Sequence, residues 1–198
     1  MLKKFKCVED CSDCCINREY YPSKEFGKIG VLLLPREKKE VEEEAANLGI
    51  KIKILPRLGV GKSDDGASPE RVLVYQLMGR ERDGNICPFL KTDGPEHSPH
   101  GGSPCTIYDK RPAACKAYPL VSIDPTISTL DTKCSYCVST NGNKVCNLGL
   151  SGEIEALNEI MVSTCTIEGE QIWRYATNVG DFKDGKMLPE GWVKVQES

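Results

Sequence analysis

The sequence predicts an α+β fold: a small, irregular, metal-stabilised domain with a β-hairpin and several short helices. Three observations carry this expectation. Apolar residues recur at helical spacing in two separated stretches, and three short runs rich in Val, Ile and Leu read as strands. Eleven cysteines lie in 198 residues, most of them clustered at short spacings among prolines, glycines and turn residues.

Taken in order, Cys7 to Cys15 is too densely set with thiols for a regular amphipathic element, and it reads as a turn-rich knuckle running into a short helix. Ile29–Leu34 reads as a buried strand ended by Pro35. Arg36–Leu48 is helical, with Val41, Ala45 and Leu48 on one stripe and Gly49 as its C-cap. The Glu40, Glu42, Glu43, Glu44 run is then a solvated helix face rather than an acidic site. Ile50–Leu55 alternates apolar residues with Lys, as a half-exposed strand does. Leu58–Ser63 fails as a phosphate loop, because Pro56 stands where the first glycine would be needed.

Arg71–Met78 is a strand, and the Asp83-Gly84-Asn85 turn predicts a hairpin that delivers Cys87. Beyond Pro119 the chain reads as irregular until Cys134, and Asn141-Gly142 makes a turn before Cys146. A helix starts at Ser151 with Ile154, Leu157 and Met161 on its core face, and a second helical stretch covers Gln171–Thr177. The tail after Asp181 reads as an extended arm pinned by Trp192. No internal repeat interrupts this order. The expected organisation is one metal-binding domain, 1–198, with a cysteine-cluster core at 5–140 and a helical extension and tail at 141–198.

A net charge of −3 and a pI of about 5.6 give no support for nucleic-acid or anionic-membrane partners. No apolar run approaches the roughly 20 residues of a membrane span. The first residues carry positive charge with no apolar segment behind them, so they do not read as a signal peptide, and a cytoplasmic location is expected. In that compartment thiols stay reduced, so an odd number of clustered cysteines points to metal rather than to disulfides.

The sharpest constellation is Cys7-x3-Cys11-x2-Cys14-Cys15. Thiolates two to four residues apart can converge because the intervening turn points backbone N–H groups at the sulfurs. Adjacent Cys14 and Cys15 serve either two sites, or one site with one of them outside the ligand set. The same spacing fits the three-cysteine motif of radical S-adenosylmethionine enzymes. Against that, Asp13 replaces their favoured aromatic residue, and the repeated strand–helix units of their barrel are missing. A second group is Cys87-Pro88-Phe89-Leu90 with Cys105-Thr106-Ile107-Tyr108-Asp109-Lys110-Arg111-Pro112-Ala113-Ala114-Cys115. This segment is expected to close on the N-terminal knuckle around metal.

Cys134-x2-Cys137-x8-Cys146 offers three further thiols, as a second knuckle needing Cys115 or Cys165 for a fourth ligand, or as reduced free thiols. Cys165 reads as a core residue near a helix end. His97 and His100 occupy a Gly/Pro-rich loop and read as exposed, with zinc ligation the alternative. Arg111 either bonds the backbone of the cluster loop, neutralises a thiolate-rich centre, or pairs with Asp109 or Glu9.

The knuckle, Cys-Pro-Phe-Leu, Cys-x-Ile-Tyr-x-x-Arg-Pro-x-x-Cys and the closing Tyr-Pro together resemble the cysteine-cluster CxxCxxCC (YkgJ-like) family. That family is described as zinc- or iron-chelating, and one branch of it contains flagellin lysine N-methylases. One departure is Val8-Glu9-Asp10, three residues where the family pattern has two. By position the resemblance implies metal ligation by Cys7, Cys11, Cys14, Cys15, Cys87, Cys105 and Cys115, with Tyr108 and Arg111 in the intervening motif at the cofactor. An iron–sulfur cluster, [4Fe–4S], suits so many thiolates, with zinc as the alternative. Two functions are implied: a binding, assembly or electron-relay module for a protein partner, or a lysine N-methyltransferase using S-adenosylmethionine at the cluster.

Overall fold

The computed structural model describes residues 4–16, 20–21, 23–61, 67–80, 85–98, 101–165, 170–180 and 187–195. The first half of the chain forms α1 (Asp13–Ile16), β1 (Val31–Leu33), α2 (Pro35–Asn47), β2 (Ile54–Val60) and β3 (Arg71–Leu77). Then come α3 (Ala113–Ala117), β4 (Leu120–Ile123), β5 (Ile127–Leu130), α4 (Ser135–Thr140) and β6 (Lys144–Cys146). The chain continues through α5 (Ser151–Ser163), β7 (Ile172–Ala176) and β8 (Gly191–Lys194), with 3₁₀ turns at Lys24–Phe26 and Tyr108–Lys110. Helices and antiparallel strands mix as the α+β class requires. Two compact units divide the chain: Met1–Asn17 with Phe89–Met161, and Arg18–Pro88 with Val162–Ser198.

The second unit is built on a five-stranded antiparallel sheet in the order β1-β3-β2-β7-β8. Helix α2 starts where Pro35 fits the first helical position, and the Glu37 carboxylate accepts the Leu34 N–H at 2.8 Å. Its Val41 and Ala45 are buried, and Gly49 follows with φ +65°, the left-handed conformation a C-cap glycine supplies. Pro56 sits inside β2 without cost because β7 pairs only with Leu58–Val60. On that side Pro56 is an edge residue and has no partner to donate to. Fully buried Gln76 bridges the sheet, accepting from Gly30 N–H at 2.9 Å and donating to Pro56 O at 2.7 Å. Trp173 fills the core, and its indole N–H donates to Gly61 O at 3.1 Å.

Several expectations need correction in this unit. Strand β2 begins at Ile54 rather than at Ile50. Gln171–Thr177 is not a helix: Ile172–Ala176 is strand β7, in which Trp173 and Tyr175, two positions apart, fall on one face of the pleat. The tail includes strand β8, where Trp192 packs edge-on against Tyr175 with ring centroids 5.3 Å apart. Among the described residues of 141–198, β6 comes first, then helix α5, then strands β7 and β8. Cys165 lies just beyond α5 and is exposed, not a core residue.

The first unit carries a three-stranded antiparallel sheet, β4-β5-β6. The stretch beyond Pro119, read as irregular, is the β4–β5 hairpin: Val121, Ile123, Ile127 and Thr129 alternate on either side of an Asp124-Pro125 turn. Leu120, Leu130, Tyr136, Cys137, Val145 and Leu150 form the core, with Phe5, Val8, Cys134, Ile154 and Leu157 packed against it. The Asp83-Gly84 turn of the hairpin expected to deliver Cys87 lies outside the described residues, and on either side of it Arg80 N–H donates to Ile86 O at 2.8 Å. A paired ribbon forms after Cys87, where Thr106 N–H donates to Phe89 O at 2.9 Å and Lys91 N–H to Pro104 O at 3.0 Å. That ribbon positions Cys105, opposite Leu90.

Candidate metal centre

The knuckle is folded by its own backbone. Cys11 N–H donates to Val8 O at 3.3 Å, closing a turn in which Asp10 takes φ +59°, a conformation that Asp tolerates better than most residues. Ser12 O then accepts from Cys15 N–H at 2.8 Å and Ile16 N–H at 3.1 Å, which winds the single turn of α1. The result sets Cys7, Cys11 and Cys14 on successive turns of a compact hook.

Two walls hold this hook. On one side stands α4: the Phe5 ring meets Tyr136 edge-on with centroids 5.2 Å apart, and the Tyr136 hydroxyl donates to Lys4 O at 3.2 Å. The other is the segment 101–104: Ser98 N–H donates to Gly102 O at 2.7 Å, and the Ser12 hydroxyl reaches Ser103 O at 3.5 Å. The approach at Gly102 is so close that a Cβ there would lie 2.7 Å from Cys11 O and 2.9 Å from Asp10 O.

Helix α4 brings the fourth thiol. Cys134 occupies its N-cap position, where the Tyr136 and Cys137 N–H groups face the sulfur and favour its ionised form without making a full capping bond. Cys134 nevertheless has its pKa raised, chiefly by burial and further by the charges of Cys11 and Cys14. Cys7 is raised in the same way, by burial first and then by Cys11, Cys14 and Cys134, against the lowering effect of the Val8 N–H. Cys11 and Cys14 thus act on both Cys7 and Cys134, which draws the four thiols into one neighbourhood. As the side chains stand, no three His, Cys, Asp or Glu residues among the described residues close around a single point.

Cys137 differs from these four. It is buried in the core, and its thiol is pushed up to about 11 by burial, by Cys134 and Asp131, and by a hydrogen bond to Cys134. Between pH 9.0 and about 11 the folded chain keeps a proton that the unfolded chain has released. The metal-free fold is therefore expected to lose stability as pH rises through that window, measurable as a falling denaturant midpoint.

The other sequence-derived residues fall as follows. Cys15 Sγ lies 3.9 Å from Cys14 Sγ, and no disulfide joins any of the eleven cysteines. Cys105 and Cys115 are half-buried in the same unit as the knuckle, Cys146 is half-buried at the end of β6, and Cys87 is buried in the other unit. Arg111 and Tyr108 engage each other: the guanidinium lies 3.7 Å from the ring centroid and its Nε–H donates to Tyr108 O at 2.9 Å. His97 is exposed and its Nδ1 is bonded to Gly101 O at 2.6 Å, whereas His100 lies outside the described residues. Sequence reasoning missed Ser135. Its hydroxyl donates to Asp13 and receives the Cys11 thiol proton at 3.4 Å. Its position beside Cys134 was the available signal.

A set of thiol donors is soft, and suits zinc or iron–sulfur chemistry rather than calcium or magnesium. No helix among the described residues is long and apolar enough to cross a membrane. No curated protein and no solved structure matches the chain. Residues 6–138 match the model of the CxxCxxCC family, described as a "putative zinc- or iron-chelating domain". The match covers about two thirds of the sequence, spans the knuckle and the Cys105–Cys115 segment and ends within α4, and the chain belongs to this family of metal-binding proteins.

Proposed function

We propose that Cys7, Cys11, Cys14 and Cys134 hold one iron–sulfur cluster, [4Fe–4S], and that the chain serves a protein partner as a binding, assembly or electron-relay module. The observation that carries this reading is the place of Cys134, on a helix that the Phe5–Tyr136 ring contact and the Cys11–Ser135 bond hold against knuckle thiols more than a hundred residues away. Four sulfurs around a zinc ion, each about 2.3 Å from it, lie roughly 3.8 Å from one another. Here Cys11 and Cys14 lie close enough to raise the pKa of both Cys7 and Cys134, and four soft donors of this kind suit an iron–sulfur cluster as well as zinc. When bound, the cluster would supply one-electron chemistry and a folding constraint.

A full set of four thiolates leaves no coordination position for S-adenosylmethionine, which favours the module over the lysine N-methyltransferase. The test is the iron and acid-labile sulfide content of anaerobically purified protein. Four of each per chain is expected. One zinc per chain without sulfide would replace the cluster by a structural tetrathiolate.

Metal binding on these residues carries a pH dependence of known sign. Cys7 and Cys134 hold their protons above the usual thiol range, so ligation must expel protons. Occupancy at fixed free metal is expected to rise with pH and to fall as the solution is acidified. Chelator-buffered titrations across neutral pH check this, and a flat profile would contradict ligation by these thiols.

A further inference from the structure

Ser135 is where the two halves of the thiol cluster meet. It follows Cys134 directly, its Oγ accepts the Cys11 thiol proton at 3.4 Å, and its own hydroxyl donates to the carboxylate of Asp13, which adjoins Cys14. One half-buried hydroxyl thus touches the residue pairs that contribute three of the four sulfurs.

We propose that Ser135, together with Asp13, is a positioning pair for the thiol centre, fixing Cys11 and Cys14 relative to Cys134 and presenting a hydrogen-bond donor to the Cys11 sulfur. This rests on the four-thiol reading above. Once Cys11 is a metal-bound thiolate it has no proton to give, so the polarity of the Cys11–Ser135 contact must reverse. The single Ser135 O–H then becomes the donor, its one proton shared as a bifurcated bond between the Cys11 sulfur and the Asp13 carboxylate. Asp13 keeps the hydroxyl in line between α1 and α4, so the sulfur finds the donor already placed. Groups that orient metal ligands in this way typically change affinity by about 10- to 100-fold when removed.

The experiment is an anaerobic cobalt(II) titration of the metal-free full-length chain, followed by the sulfur-to-cobalt charge-transfer absorption under chelator competition. Ser135→Ala and Asp13→Asn are expected to bind about 10- to 100-fold more weakly. The Ser135→Ala band should also shift, because its sulfur has lost a donor. Ser135→Thr, which keeps the hydroxyl, should bind like the original chain with the same band. Ser135→Ala binding with unchanged affinity and band overturns the proposal. A weaker affinity with an unshifted band overturns the donor role, since mere pinning of the knuckle would give that result. If Ser135→Ala does not fold, Asp13→Asn decides, and affinity equal to that of the original chain overturns the pairing. Failure of the original chain both to give a cobalt–thiolate band and to take up iron and sulfide on anaerobic reconstitution refutes the four-thiol reading itself, an outcome distinct from every result confined to the variants.

Discussion

Cys134→Ser is expected to strip the chain of its metal, with affinity falling by more than the roughly 100-fold that follows loss of an orienting group. Serine preserves the size of the side chain and the N-cap geometry of α4, so the variant removes a soft donor and little else. The matched variants Cys146→Ser and Cys165→Ser should keep full occupancy. Cys146 ends β6 and is paired to Ile127, while Cys165 is exposed past the end of α5. Metal content of the three purified variants, measured side by side, checks this. Normal occupancy in Cys134→Ser would remove the residue that distinguishes the present reading from one centred on the knuckle and the Cys105–Cys115 segment.

Gly102→Ala is expected to lower metal affinity although position 102 donates no ligand. The added methyl would stand 2.7 Å from Cys11 O and 2.9 Å from Asp10 O, both backbone atoms of the knuckle, so the hook itself has to move. Overpacking of this kind costs about 1–3 kcal/mol, which corresponds to a loss of roughly 5- to 150-fold in binding if the displaced hook must be pushed back for metal to bind. Gly152→Ala is the control. Its methyl meets nothing within 4 Å and lies in helix α5, where alanine gains up to about 1 kcal/mol over glycine. Chelator competition on both variants measures the effect. Equal affinity for Gly102→Ala and the original chain would mean that the 101–104 segment is not a wall of the site.

These predictions show where sequence reasoning succeeded and where it stopped. The knuckle was legible because three thiols at spacings of four and three leave a chain few alternatives, and its run into a short helix is observed as α1. Helix α2 was legible from its stripe and its glycine stop, and β3 from a run rich in Val, Leu and Tyr. Strand β7 was not, since Ile172, Trp173 and Tyr175 fit a helical face as well as a pleated one over so few residues. Only the partners β2 and β8 decide between the two.

The metal centre divides in the same way. Short spacing identified the thiols of the knuckle, but nothing local to Cys134-x2-Cys137 tells which thiol faces the hook and which enters the core. That assignment depends on α4, whose one turn and a half turns Cys137 into the cluster of Leu120, Leu130 and Val145. Phe5 and Tyr136, a pair 131 positions apart, then bring the hook to Cys134. Long-range aromatic packing of this kind leaves no periodic trace in either segment.

The most direct measurement is alkylation of the native metal-bound chain, with modified cysteines mapped by mass spectrometry before and after metal removal. Protection of Cys7, Cys11, Cys14 and Cys134 in the metal-bound chain, lost on chelation, is the expected result, with exposed Cys165 labelled in both states. Labelling of Cys134 in the metal-bound chain, with Cys105 and Cys115 protected in its place, would contradict the four-thiol centre.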